Sequence, residues 1–243
     1  MRIKMVTGAL LVGGLAVAIA VATAGTPFGG DDSGTIPSDA PKGPVTKCEG
    51  KIAKGVGKLV GKVIKCHGQR ASGKLADDAA EDACEQAAID KFTAQKTTGC
   101  PACIALPTLA AAVVGLVDAN NNRVYCAPGT PFGGDDTGNI PADAPKGPVT
   151  KCEGTVGTKV AKLVSSVIKC HSSRATGKLA DDAAEDECEA AALAKFTAVK
   201  TTGCDACTDL AAIGQFVIST LDASNGLVYC GSPGGAFLDG AAF

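Results

Sequence analysis

The chain of 243 residues carries 12 cysteines, no tryptophan and only 4% aromatic residues, and its 25 acidic and 23 basic residues leave a formal charge of −2. That balance argues against a general polyanion binder, so no nucleic-acid partner is expected. An even set of cysteines argues against a reduced cytosolic thiol protein and for a disulfide framework, which a core so poor in aromatics needs.

Residues 1–24 read as a signal peptide: Arg2 and Lys4 form the basic start, Ala9 to Val21 the apolar run, and Ala22-Thr23-Ala24 the cleavage signal. The uncharged stretch Met5 to Ala24 also approaches the length of a membrane anchor, but Gly8, Gly13 and Gly14 interrupt it. A mature chain starting near Gly25 is therefore expected to be secreted, extracellular or periplasmic, with no stable membrane insertion after cleavage.

Beyond the leader the chain says the same thing twice. Thr26 to Cys126 recurs as Thr130 to Cys230 at an offset of 104, with six cysteines of each copy in register. The organisation that follows is a signal peptide, repeat 1 (25–128), repeat 2 (129–232) and a tail (233–243).

Each repeat opens on a Pro, Gly and Asp rich stretch, 26–46 and 130–150, with neither a helical nor a strand period, which reads as loop or linker. From Cys48 to Cys66 the residues Ile52, Val56, Leu59, Val60, Val63 and Ile64 mark one buried face of a first helix, ended by Gly68. Asp78 with Glu81 resembles a capping box and starts a second helix that runs to about Thr98 before Gly99. A third helix starts near Pro107 and carries Leu109, Val113, Leu116 and Val117 inward to about Asp118. Asn120 to Asn122 is then a turn, and Arg123 to Cys126 a short extended return along the third helix. The fold class is mainly α: two tandem, disulfide-stapled helical-hairpin modules of about three helices each.

Helix geometry constrains the bridges. Cys48 and Cys66 lie about 27 Å apart on one helix and cannot pair. Paired positions in an antiparallel hairpin keep a constant index sum, so Cys66–Cys84 places the partner of Cys48 near position 102, between Cys100 and Cys103. The expected bridges are Cys66–Cys84, Cys48 with Cys100 or Cys103, and the remaining one of that pair with Cys126. In repeat 2 they are Cys170–Cys188, Cys152 with Cys204 or Cys207, and the remaining one with Cys230.

Four features bear on chemistry. Cys100-Pro-Ala-Cys103 and Cys204-Asp-Ala-Cys207 have the CxxC form of a thiol-disulfide oxidoreductase, but the motif follows a helix and lies among other cysteines. Haem attachment is excluded because Ile104 and Thr208 stand where it needs His. His67 and His171 are the only histidines, each expected at a helix C-terminus and within reach, in the first copy, of Asp77, Asp78 or Asp82. With the cysteines oxidised, too few nitrogen and sulfur ligands remain for a closed zinc site, so no metal and no cofactor are assigned.

Asp31, Asp32, Asp77, Asp78, Glu81 and Asp82 offer oxygen ligands, and Asp118-Ala-Asn120-Asn-Asn122 starts like a calcium loop. That loop fails at Arg123 and Gly129, and its copy Asp222-Ala-Ser224-Asn-Gly226 fails too. Lys47, Lys51, Lys54, Lys58, Lys62 and Lys65 form a basic stripe, but Thr155, Thr158 and Ser166 replace three of them in the copy, which marks a solvated face. The opening loops, by contrast, differ at only Ser33/Thr137, Thr35/Asn139 and Ser38/Ala142 between Thr26–Gly50 and its copy, whereas Pro101–Cys126 keeps 10 of 26 residues. Loops usually vary more than helices, so 26–46 and 130–150 are expected to meet the neighbouring repeat or a protein or glycan partner.

The strings KCHxxRAxGKLADDAAEDxCE and KFTAxKTTGCxxC resemble a family of secreted, cysteine-rich bacterial proteins that occur as tandem copies. The resemblance covers Lys47–Cys126 and Lys151–Cys230; it implies export and a helical disulfide module, and no activity. No nucleophile, base and orienting group recur together, so no catalytic residue is assigned. The expected function is a secreted or cell-surface, non-enzymatic structural or binding module, with an extracytoplasmic thiol-disulfide oxidoreductase as the alternative.

Overall fold

The computed structural model describes residues 25–230; the signal peptide assigned to 1–24 and the tail 233–243 lie outside them. In chain order the elements are β1 (Thr26–Gly29), β2 (Asp32–Ile36), α1 (Pro44–Ala71), α2 (Asp78–Thr93), α3 (Leu106–Ala119), a 3-10 turn (Asn121–Arg123), then β3 (Gly129–Gly133), β4 (Asp136–Pro141), α4 (Pro148–Ala175), α5 (Asp182–Thr197), α6 (Leu210–Ser224) and a second 3-10 turn (Asn225–Leu227). The fold is mainly helical and held by six disulfides. Among the described residues no helix is long and apolar enough to cross a membrane.

The first helix is longer than its cysteines suggest. Pro44 suits its first turn, and the Asp39 carboxylate accepts from the Val45 and Thr46 amides and the Thr46 hydroxyl, so a residue upstream caps α1. Burial works against ionisation of Asp39, yet these hydrogen bonds hold its pKa below the usual carboxylate value. Gly68 lies inside the helix, and Gly73, at a φ of +66°, follows its end. The second helix is capped by Asp77, which accepts from the Ala80 amide, and it ends at Thr93 well short of Gly99. Ile52, Val56, Leu59, Val60 and Val63 are buried, and the six stripe lysines are exposed.

Helices α1 and α4 run antiparallel against each other, and their contact is the largest between helices. A Cβ on Gly57 would meet Ile168, one on Gly61 would meet Ala161, and one on Gly157 would meet Ile64, so contacts advance along one helix as they retreat along the other. The small residues let the backbones approach. One apolar core results, drawing on both repeats.

The opening stretches are not plain loops. Each forms an antiparallel β-hairpin, β1–β2 and β3–β4, and each hairpin sits on the other repeat. The Asn139 amide donates to the Tyr125 carbonyl at 2.9 Å, Asn121 Nδ2 to the Thr137 carbonyl at 3.0 Å, and Phe132 packs on Tyr125. Equivalent contacts join β2 to the end of repeat 2: Thr35 N to Tyr229 O at 2.8 Å, Asn225 Nδ2 to Ser33 O at 3.1 Å, and Phe28 on Tyr229. Gly138, with a φ of +91°, permits this docking, since a Cβ there would stand 2.6 Å from the Tyr125 carbonyl oxygen. The period of the hairpins is hidden because two short strands rich in Gly and Pro show no alternation of their own.

The same antiparallel packing corrects the third bridge of each repeat. Cys48–Cys100, Cys66–Cys84, Cys152–Cys204 and Cys170–Cys188 lie within repeats, but Cys103 joins Cys230 and Cys126 joins Cys207. Residues 124–126 do not run back along α3 to Cys103. Helix α3 delivers them to the end of α1, which lies beside the start of α4, where Cys207 is the near thiol. The bridge crosses between the repeats there, since the 14 residues of α3, about 21 Å of helix, separate Cys126 from Cys103.

Glu153 secures this crossing. Buried on α4, it accepts from the Ala127 amide at 3.0 Å, and burial pushes its pKa up to about 7 although the Ala127 and Cys126 amides oppose the rise. A carboxyl raised in the fold releases its proton first from the unfolded chain, so its contribution to stability falls as pH climbs from about 4.5 to 7. Glu153→Gln keeps an acceptor oxygen and should flatten the pH dependence of thermal unfolding over that window, as calorimetry at stepped pH would read.

Candidate metal centres

His67 stands in the last turns of α1, one residue after Cys66, and Glu85 stands on α2, one residue after Cys84. The bridge between those cysteines therefore fixes the two helices in register where the side chains meet. Glu81 and Glu85 share a face of α2 at a spacing of four. Asp118 comes from the end of α3 and Asp136 from the first position of β4, which belongs by sequence to the other repeat.

All four carboxylates point at one nitrogen. His67 Nε2 lies 2.9 Å from Glu85, 3.0 Å from Asp136, 3.3 Å from Asp118 and 3.9 Å from Glu81. The second repeat builds the same centre: His171 Nε2 is 2.9 Å from Glu189, 3.2 Å from Asp32, 3.2 Å from Asp222 and 4.0 Å from Glu185. His67 and Glu81 are buried to 1% and 0% exposure, and Phe132 closes over the imidazole edge.

Protons alone serve such a centre badly. Nε2 has one hydrogen to offer to four carboxylates, and both oxygens of Glu81 are buried with no hydrogen-bond donor among the described residues. Burial pulls the His67 pKa down, but Asp118, Asp136 and Glu85 more than reverse this and push it up to about 11. His171 is likewise pushed up to about 10, by Asp222, Glu189 and Asp32 against burial. Burial, reinforced by Asp136, raises Glu81 to about 8, and burial with Asp32 does the same to Glu185. One imidazolium offsets one carboxylate and leaves the rest buried and facing each other, a costly arrangement.

A cation fits the donor geometry. With metal–ligand bonds of about 2.1 Å, neighbouring donors at right angles lie about 3.0 Å apart and tetrahedral ones about 3.4 Å. The three shorter distances around each nitrogen fall on or near those values. In each repeat two triads share the histidine: His67 with Glu81 and Asp136 or with Glu85 and Asp118, and His171 with Asp32 and Asp222 or with Glu185 and Glu189. One imidazole with several carboxylate oxygens is a donor set for a divalent first-row ion such as Mn2+, Fe2+ or Zn2+.

His67 thus turns away from Asp77, Asp78 and Asp82, its expected partners, and toward groups held on three other elements. Of the acidic residues singled out in the sequence, Asp32, Glu81, Asp118 and Asp222 reach the centres; Glu85, Asp136, Glu185 and Glu189 were not recognised. A count restricted to nitrogen and sulfur donors misses a site made of oxygen. The available signal was the duplicate itself, because the five donors recur in both copies, with Asp118 and Asp222 matching within the segment that otherwise differs most. Cys100 and Cys103 each bond to a distant cysteine and not to one another, as do Cys204 and Cys207. Comparisons with protein-family models, curated proteins and solved structures find no match to the chain.

Proposed function

We propose that the protein is an exported, non-enzymatic binding module that holds two divalent transition-metal ions, one in each repeat. The observation that carries this reading is a buried imidazole nitrogen ringed by four carboxylates, built twice from matching residues. His67, Glu81, Glu85, Asp118 and Asp136 hold one ion, and His171, Asp32, Glu185, Glu189 and Asp222 the other. An imidazole nitrogen with three carboxylates within 3.3 Å fills most of a coordination shell, which suits retention of an ion better than turnover of a substrate. The leader and the twelve bridged cysteines support export. The oxidoreductase alternative draws less support, because thiol exchange by CxxC needs its two cysteines to pair with each other.

Protein exported from cells grown with Mn2+, Fe2+ and Zn2+ and purified without chelator should contain two ions per chain by elemental analysis and native mass spectrometry. Stripping them should lower the melting temperature, each ion contributing about 2.7 kcal/mol when free metal stands at a hundredfold its Kd. Fully bridged protein that neither carries nor takes up any of these ions would refute the reading.

A further inference from the structure

A cavity of about 530 Å³ opens between the repeats, floored by α1 and α4 and walled by α3 and α6. Val113, Leu116 and Val117 line one wall, and Phe216, Val217 and Leu221 the other. Leu116, the one large hydrophobic exposed among the described residues, is 39% accessible at its edge. Each of α3 and α6 packs on helices of its own repeat, which leaves these apolar faces turned to the space between.

The polar groups of the lining are few and uneven. Among the described residues no aspartate or glutamate borders the cavity, and Arg123 is its only arginine or lysine. Its guanidinium carbon lies 3.7 Å from the centroid of Phe216, and its Nε donates to Asn120 Oδ1 at 3.1 Å. No described carboxylate pairs with it, so the terminal nitrogens remain available. His67 and His171 also border the space, but their Nε2 atoms are engaged by the carboxylates of the two centres. The position matching Arg123 in repeat 2 is Leu227, also in the lining. The lining is therefore cationic at one end and aliphatic at the other, although the helices around it are duplicated.

We infer that this cavity binds one single-chain anionic amphiphile of the long-chain fatty-acid class, its carboxylate on Arg123 and its tail along the α3–α6 walls toward Leu227. An apolar chain accounts for the walls, a lone negative head for the lone cation, and one polar end for the asymmetry. Taking a methylene as about a water's share of liquid volume, roughly 30 Å³, the space accepts a chain on the order of sixteen carbons. This assignment does not depend on the metal centres.

The test uses the full exported chain, freed of lipid by exchange on a hydrophobic resin. Titration with cis-parinaric acid should show one saturable site per chain, with palmitate displacing the probe. Arg123→Gln should weaken palmitate about tenfold and leave hexadecanol, which lacks the charge, unchanged. Val217→Trp should abolish binding of both while the disulfide mass and circular dichroism stay those of the parent; if that variant misfolds, Val113→Trp on the opposite wall serves instead. Three outcomes would overturn the assignment: no saturable binding, equal loss of palmitate and hexadecanol on removing Arg123, or binding that appears only when the chain is cut after Cys230 or when a dimer is dissociated. The last would give the cavity to the chain's own end or to a second copy.

Discussion

Asp32→Asn is expected to empty the metal centre of repeat 2 while leaving that of repeat 1 loaded. Asp32 lies in the first hairpin, yet its carboxylate reaches His171, 3.2 Å away on α4. Loss of one of five donors should weaken the His171 centre more than about a hundredfold, since even indirect supports of a metal ligand are worth 10–100-fold. The reciprocal change, Asp136→Asn, should empty the His67 centre instead. Native mass spectrometry of each variant should then show one ion per chain. If Asp32→Asn released the ion beside His67, or both ions equally, the cross-repeat assignment of ligands would be wrong.

The second large effect concerns oligomeric state. Residues 25–128 made alone in an oxidising compartment should form a covalent dimer, seen as a doubled mass on non-reducing gels and in sedimentation. In the intact chain each hairpin docks on the repeat that does not contain the helix following it, and Cys103 and Cys126 bond to Cys230 and Cys207. A second copy of repeat 1 offers the same surfaces in place of repeat 2, so two copies can exchange hairpins and bridges around a two-fold axis. A monomer with Cys103 joined to Cys126 would show that a repeat can close on itself, contrary to the packing described.

The parts legible in the sequence are those set by local periodicity. The apolar face of the first helix follows from residues three and four apart, and Cys66–Cys84 follows from the geometry of one bend. Neither needs knowledge of the other repeat. What sequence alone did not reveal depends on contacts between residues far apart in the chain. The hairpins make sense only beside Tyr125 and Tyr229, and Cys126 turns to Cys207 only because α1 and α4 pack antiparallel. The proposed metal donors come from four elements with no fixed spacing, so no linear motif announces them. The near identity of 26–50 and 130–154 was a true signal of contact with the neighbouring repeat, but it did not say which groups the contact carries: Asp32 and Asp136 complete the centres, and Phe28 and Phe132 cover the histidines.

The docking of β2 against the 3-10 turn of repeat 2 spans up to 193 residues of chain. During synthesis the amino end emerges first, and β1–β2 must wait for its seat until Tyr229 has followed. The seat of β3–β4, at Tyr125, has already emerged when that hairpin arrives. Two halves so alike in composition therefore seat their hairpins on different schedules: that of the second repeat can dock while the chain is still growing, and that of the first only once the beginning of the molecule has found its end, where Cys230 also closes on Cys103.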